Sequence, residues 1–197
     1  MTFEDNFKNH SKEYLFSNDT FLLKQRENIF NKINLKNFDK KNNESLKNIT
    51  ISDLSVFNYY YHSSEGEPTV TVIKKENYKI NIVNGVCKNY EDDKIEIRNV
   101  SSSDFKRFAD QNYDNLDDVI IDFNRIFLNS GIFLNIKKNA KLKLSLVHNT
   151  HKNFTIFQNN FINFQQNSKV ELEEEFNLSN NTINNINYNI QVDEESS

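Results

Sequence analysis

The sequence predicts an α+β fold in which helices come first and strands follow one after another. Three observations carry this. Between Asp114 and Asn129 the residues Leu116, Val119, Ile120, Phe123, Ile126 and Phe127 recur at three- and four-residue steps, the apolar stripe of an amphipathic helix. The period then falls to two: Ile132, Leu134 and Ile136 alternate, and Leu142, Leu144 and Leu146 do so against Lys141, Lys143 and Ser145. Upstream, Tyr78–Val83, Asn84-Gly85 and Val86–Lys88 read as a hairpin around a two-residue turn that needs positive φ.

The helix at 114 is bounded by Asp114 or Asn115 as cap and by Gly131, which is expected to take the left-handed stop. Beyond it, runs containing Phe154 and Ile156, then Val170, Leu172 and Phe176, then Ile186, Tyr188, Ile190 and Val192 begin every ten to sixteen residues. Asn-rich corners separate them: Lys138-Asn-Ala140, Gln166-Asn-Ser168 and Ser179-Asn-Asn-Thr182. This spacing suits a β-solenoid and a sandwich equally.

Upstream, Phe3, Phe7, His10 and Tyr14 share one helical face, and Leu22, Leu23, Ile29, Phe30 and Ile33 another, with capping side chains at Ser17 to Thr20. The pair reads as a helical hairpin. Residues 34–48 read as a polar loop, followed by weak alternation at Ile49 to Leu54. Thr69–Ile73 and Ile95–Val100 are short strands, and Ser101 to Asp104 caps a short helix over Asp104–Ala109. Three regions result: a helical segment over 1–57, a small α+β region with the Asn84-Gly85 hairpin over 58–113, and the helix with the repeated strands over 114–197.

Among 197 residues there are 17 Phe, 8 Tyr and no Trp, so Phe must fill most of the core. With 3 Gly and 1 Pro, turns fall to asparagine, whose excess suggests no function at this stage. A net charge of −4 without a long basic run argues against nucleic-acid binding. No apolar segment approaches about 18 residues and no leader follows the acidic start, so a cytoplasmic chain without a membrane partner is expected. Cys87 is the single cysteine; on the return strand of a hairpin it reads as a structural thiol.

The candidate chemistry is thin. His148 and His151 have a ligand-like spacing, but residues three apart on a strand face opposite ways, and two histidines make an incomplete zinc set. Glu171, Glu173 and Glu175 line one face of a strand, while Glu174 interrupts the inward pattern between Leu172 and Phe176; a solvated acidic edge is expected, with a surface for a basic partner as the alternative and a general acid and base pair behind both. Tyr59-Tyr-Tyr61 lacks the basic neighbours of a base-stacking platform. Catalytic, cofactor-binding and metal-ligating residues are therefore all expected to be none, and the protein to be no enzyme. A competing enzyme reading would use His148, His151 or the Glu171–Glu175 strand.

Several stretches, in order, resemble the SufD subunit of the SufBCD iron–sulfur cluster assembly complex. Phe21–Phe30 followed by Asn43–Leu54 resembles the N-terminal helices and the "E-x-W-[KR]-Y-T-x-L" segment of that family, with Leu46 in place of Trp. Ile80-Asn-Ile-Val-Asn-Gly-Val86 resembles its "L-V-F-V-N-G" hairpin. Ser130–Ile136 resembles the entry to its β-helix, and Gln166–Phe176 one of its rungs. The resemblance spans nearly the whole chain through individually loose motifs, and their order along the chain carries it.

It implies a right-handed parallel β-helix and a scaffold role by protein–protein interaction, with SufB-like and SufC-like partners. In that family the chain continues through more rungs to a C-terminal helical domain, so a truncated, split or reduced SufD-like chain is expected. The iron–sulfur cluster belongs to the family complex, with none bound by this chain itself. The alternative is a stand-alone β-solenoid binding module. The strand over 183–192, with Ile183, Ile186, Tyr188, Ile190 and Val192, is the expected partner edge, open to self-association or to a SufB-like or SufD-like strand. The tail Asp193–Ser197 reads as too short to fold back as a cap.

Overall fold

The computed structural model describes residues 15–32, 66–74, 76–106, 119–152, 154–180 and 182–197. The expectations at residues 3–14, 33–54, 59–61 and 107–118, the last including the cap at Asp114 or Asn115, lie outside them. Its elements are α1 (Thr20–Lys32), β1 (Thr69–Lys74), β2 (Asn77–Val83), β3 (Tyr90–Glu91), β4 (Ile95–Asn99), α2 (Val119–Ile126), β5 (Ile132–Ile136), β6 (Lys141–Thr150), β7 (Thr155–Phe164), β8 (Lys169–Leu178) and β9 (Ile183–Val192). The fold is mixed α+β and dominated by strands, in two mixed sheets with the orders β1-β2-β6-β8 and β3-β4-β5-β7-β9; neither closes into a barrel.

From β5 onward successive strands alternate between the sheets and add in parallel. The step is constant: Phe133 pairs with Phe161, Lys141 with Lys169 and Thr155 with Ile183, each 28 residues on. Corners repeat at the same step. Asn139, Asn167 and Glu195 have φ of 61°, 62° and 60°, and in each corner the next residue's N–H donates back to the carbonyl three positions earlier. Asparagine tolerates this left-handed geometry better than other residues with a Cβ, which is why Asn-rich punctuation marked two of these corners in the sequence.

Even-numbered residues of β5 to β9 face the space between the sheets. Tyr78, Ile80, Ile82, Ile95, Ile97, Ile132, Leu134, Ile136, Leu142, Leu144 and Leu146 form one buried cluster there. Both sheets draw strands from either side of the expected boundary at 113, through β2 with β6 and β4 with β5. β7 is buried on both faces along most of its length. One face joins the core through Ile162, and the other lies under the helices. Phe161 meets Phe105 edge-on at 6.1 Å in a cluster with Leu22, Val100 and Leu128, and Phe127 lies 5.4 Å from Phe157. Arg26, nearly buried, donates to the carbonyls of Leu15 and Leu128 at 2.5 and 3.1 Å and ties α1 to the chain leaving α2.

Asp19 caps α1, its carboxylate accepting from the N–H groups of Phe21 and Leu22. Ser101 and Asp104 cap the short helical stretch 102–106 reciprocally: Asp104 N–H donates to Ser101 Oγ, and Ser101 N–H to Asp104 Oδ2. At Asn84-Gly85 the backbones of Val83 and Val86 exchange hydrogen bonds and both turn residues have positive φ, as expected. The return run is different: beyond the bridge at Val86 it forms no strand, and β2 pairs with β1 and β6 instead. Cys87 is held there by Asn99, which takes its N–H and donates to its carbonyl. Gly131 also departs from expectation. It is not left-handed; a Cβ there would stand 2.5 Å from Asn159 O and 2.7 Å from Val100, so close backbone approach requires glycine.

Candidate interaction site at the end of the strand stack

β8 and β9 are the last strands of their sheets and lie at the same end of the parallel stack. Among the described residues no strand pairs with their outer edges. The backbone defines which groups remain there. Ile183 N–H donates to Phe154 O and Asp193 N–H to Phe164 O, so odd-numbered amides of β9 face β7 and even-numbered ones face outward. The same parity holds in β8, where Lys169 N–H donates to Ala140 O and Ser179 N–H to Thr150 O. Residues 193–196 repeat the corner, and Val170 N–H then donates to Ser197 O, so a single residue of the tail reaches the β8 edge.

The residues that lower strands bury are exposed here. Leu172, Phe176 and Leu178 are 37%, 46% and 52% exposed, and Ile190 and Val192 57% and 55%. Their equivalents one step below in β6, Leu144 and His148, are 1% and 2% exposed. Ile186, Tyr188, Ile190 and Val192 share the inward parity, as the alternation predicts. Ile183 does not: it pairs with Thr155 and belongs to the opposite face.

A polar cluster sits inside this end. His148 Nε2 lies 3.2 Å from Glu174 Oε1, the Tyr188 hydroxyl donates to the same oxygen, and the His148 ring stacks on Phe176 at 4.7 Å. Burial opposes ionisation of Glu174, but hydrogen bonds from His148 and Tyr188, with the charge of His148, outweigh it and hold the carboxyl below its ordinary range. Burial and the Glu174 carboxylate push the Tyr188 phenol up. Thr150 and Asn184 pair alongside through their side chains. Glu174 therefore does not merely interrupt the inward pattern; it faces inward and is satisfied there. The signal was available: His148, Glu174 and Tyr188 are polar residues at inward parity in β6, β8 and β9.

His151 stands apart from His148, at the corner after β6. Its ring Nδ1 is 3.2 Å from Asn84 Nδ2, and its N–H donates to Asn84 Oδ1. It helps line a cleft of about 610 Å³ with Gly66, Asn149, Phe176 and Leu178. Glu171, Glu173 and Glu175 form the exposed outer row of β8. Among the described residues no three His, Cys, Asp or Glu side chains come together as a metal-ligand set. Burial pushes the Cys87 thiol up to about 12, which removes it as a thiolate nucleophile at neutral pH. No helix among the described residues is long and apolar enough to cross a membrane.

Asparagine side chains reinforce the stack. Asn163 Nδ2 donates to Asn135 Oδ1 at 2.9 Å and Asn177 Nδ2 to Asn149 Oδ1 at 3.1 Å, in both cases one 28-residue step apart. The asparagine excess thus has a structural use that composition did not reveal. No protein-family model, curated protein or solved structure matches the chain.

Proposed function

We propose that this chain is a β-solenoid scaffold protein that acts by protein–protein contact through strand addition at β8 and β9. The carrying observation is the row of inward-parity side chains, Phe176, Leu178, Ile190 and Val192, left exposed beside two ten-residue strand edges. Unpaired edges next to apolar surface are templates for another strand. The constant 28-residue step between parallel partners and the recurring left-handed corner support a solenoid over a sandwich. The right-handed parallel β-helix, the role in iron–sulfur cluster assembly and the cytoplasmic setting rest on the SufD resemblance. In this reading the chain performs no catalytic step and the cluster belongs to the assembled complex.

The partner is a SufB-like or SufD-like strand, with a SufC-like ATPase in the same complex. Co-purification of the tagged chain with SufB-like and SufC-like proteins tests this. Ile190→Lys should abolish capture, because it places a charge at an inward position, whereas Asn189→Lys, on the other face, should retain it. Equal capture by both variants would contradict the reading. The outer row of β9 over 185–191 is uncharged, which favours a second reading: association of two copies through residues 183–192.

A further inference from the structure

The outer row of β8 is acidic, and the strand beneath balances only part of it. Lys143 faces Glu171, with Nζ 2.5 Å from Oε2, but Ser145 faces Glu173 and Val147 faces Glu175. Glu175 accepts from Asn177 Nδ2 at 3.1 Å, which is neutral. The inward parity of the same strand is Leu172, Glu174 and Phe176, with both apolar residues exposed.

We propose that the strand docking on β8 is one with basic residues along its outward face and apolar residues along its inward face, so that this edge selects a heterologous partner over a second copy. The inference rests on the scaffold reading and adds the partner's chemistry. Adjacent strands lie about 4.8 Å apart, so a row of Lys or Arg in the next strand stands directly against Glu171, Glu173 and Glu175. Its apolar side chains cover Leu172 and Phe176 and remove them from water. A second copy supplies apolar residues but not the basic row. Edge-to-edge pairing of β8 with β8 sets one glutamate row against another, and like charges directly opposite are destabilising. Head-to-tail pairing brings β1, whose sequence Thr69-Val-Thr-Val-Ile-Lys74 offers one cation against three carboxylates.

Fluorescence anisotropy of the full chain with two labelled synthetic peptides, one alternating lysine with valine and one alternating glutamate with valine, tests this. The lysine peptide should bind about tenfold tighter or better, a margin in keeping with a few partly screened ion pairs. Replacing Glu171, Glu173 and Glu175 together by Lys should reverse the order. A control with Glu27→Lys, Glu67→Lys and Asp93→Lys, exposed positions off this edge, carries the same change in net charge and should keep it. Glu173→Lys alone, expected to weaken the lysine peptide about threefold, serves if the triple variant loses the wild-type circular dichroism spectrum. Absence of saturable lysine-peptide binding, or equal loss in the two triple variants, overturns the inference. So does a dimer of the unmodified chain in sedimentation velocity that Leu172→Lys dissolves. Capture of SufB-like protein that depends on Ile190 is a separate readout, so the scaffold reading can survive failure here.

Discussion

Leu144 offers the sharpest energetic test of the strand register. It is 1% exposed, pairs with Tyr78 on one side and Leu172 on the other, and belongs to the principal buried cluster. Burying a leucine contributes roughly 1.5 to 3 kcal/mol, and Leu→Ala in a packed core costs about 2 to 5 kcal/mol once the cavity is included. Its flanks are strands on both sides, so the site has little freedom to collapse and Leu144→Ala should cost about 3 kcal/mol. That is a large share of a typical total of about 5 to 15 kcal/mol. At roughly 2 to 4 °C per kcal/mol for a chain of this size, the midpoint should fall by about 6 to 12 °C. Leu144→Asp should be worse, since it buries an unpaired charge. Lys143→Ala, one residue away on the exposed face, should stay within about 0.5 kcal/mol. Urea unfolding followed by circular dichroism and tyrosine fluorescence provides the comparison. Equal midpoint shifts for Leu144→Ala and Lys143→Ala would refute the register and the two-sheet core.

Asn167 has φ of 62°, so Asn167→Ala should cost about 1 to 2 kcal/mol by urea unfolding while Asn167→Gly stays near neutral. Burial opposes ionisation of Asp104, but hydrogen bonds from Arg98 and Ser101 outweigh it and bring its pKa from 3.8 to about 2. A depressed carboxyl stabilises the fold above the unfolded value, and that contribution is lost as pH falls from about 4 toward 2. Asp104→Asn should flatten this part of a stability–pH profile measured by thermal unfolding. Glu174 is also held below its ordinary range, so its contribution is present above about pH 4.5 and fades on acidification. Glu174→Gln should weaken that acid dependence, read by thermal unfolding across the same acidic range.

What the sequence made legible was local. β6 announced itself because Leu142, Leu144 and Leu146 alternate with Lys141, Lys143 and Ser145, and Asn84-Gly85 because few residue pairs suit that turn. Two corners were marked by asparagine at the position that becomes left-handed. Less legible was anything set by partners distant in the chain. The 28-residue step is hidden because runs of unequal apolar length share equal spacing only after the strands pair. Gly131 looked like a helix stop, yet its requirement comes from Val100 and Asn159. The Val86–Lys88 run looked like a return strand, but Asn99 holds it in another path. At the candidate site, Ile186, Tyr188, Ile190 and Val192 followed from alternation, while Ile183 fell on the other face because the inward residues of β9 are even-numbered. The His148–Glu174–Tyr188 cluster was missed because its members lie on three strands, and only parity links them.

Amide hydrogen exchange read residue by residue on β8 and β9 tests the central claim most directly. If these edges are open, the outward amides of Ile186, Tyr188, Ile190 and Val192, and of Leu172, Glu174, Phe176 and Leu178, exchange rapidly. Their odd-numbered neighbours, bonded toward β7 and β6, exchange slowly. Addition of a SufB-like partner should then protect the even set. Uniform slow exchange along β9 in the isolated monomer, matching β7, would contradict the account.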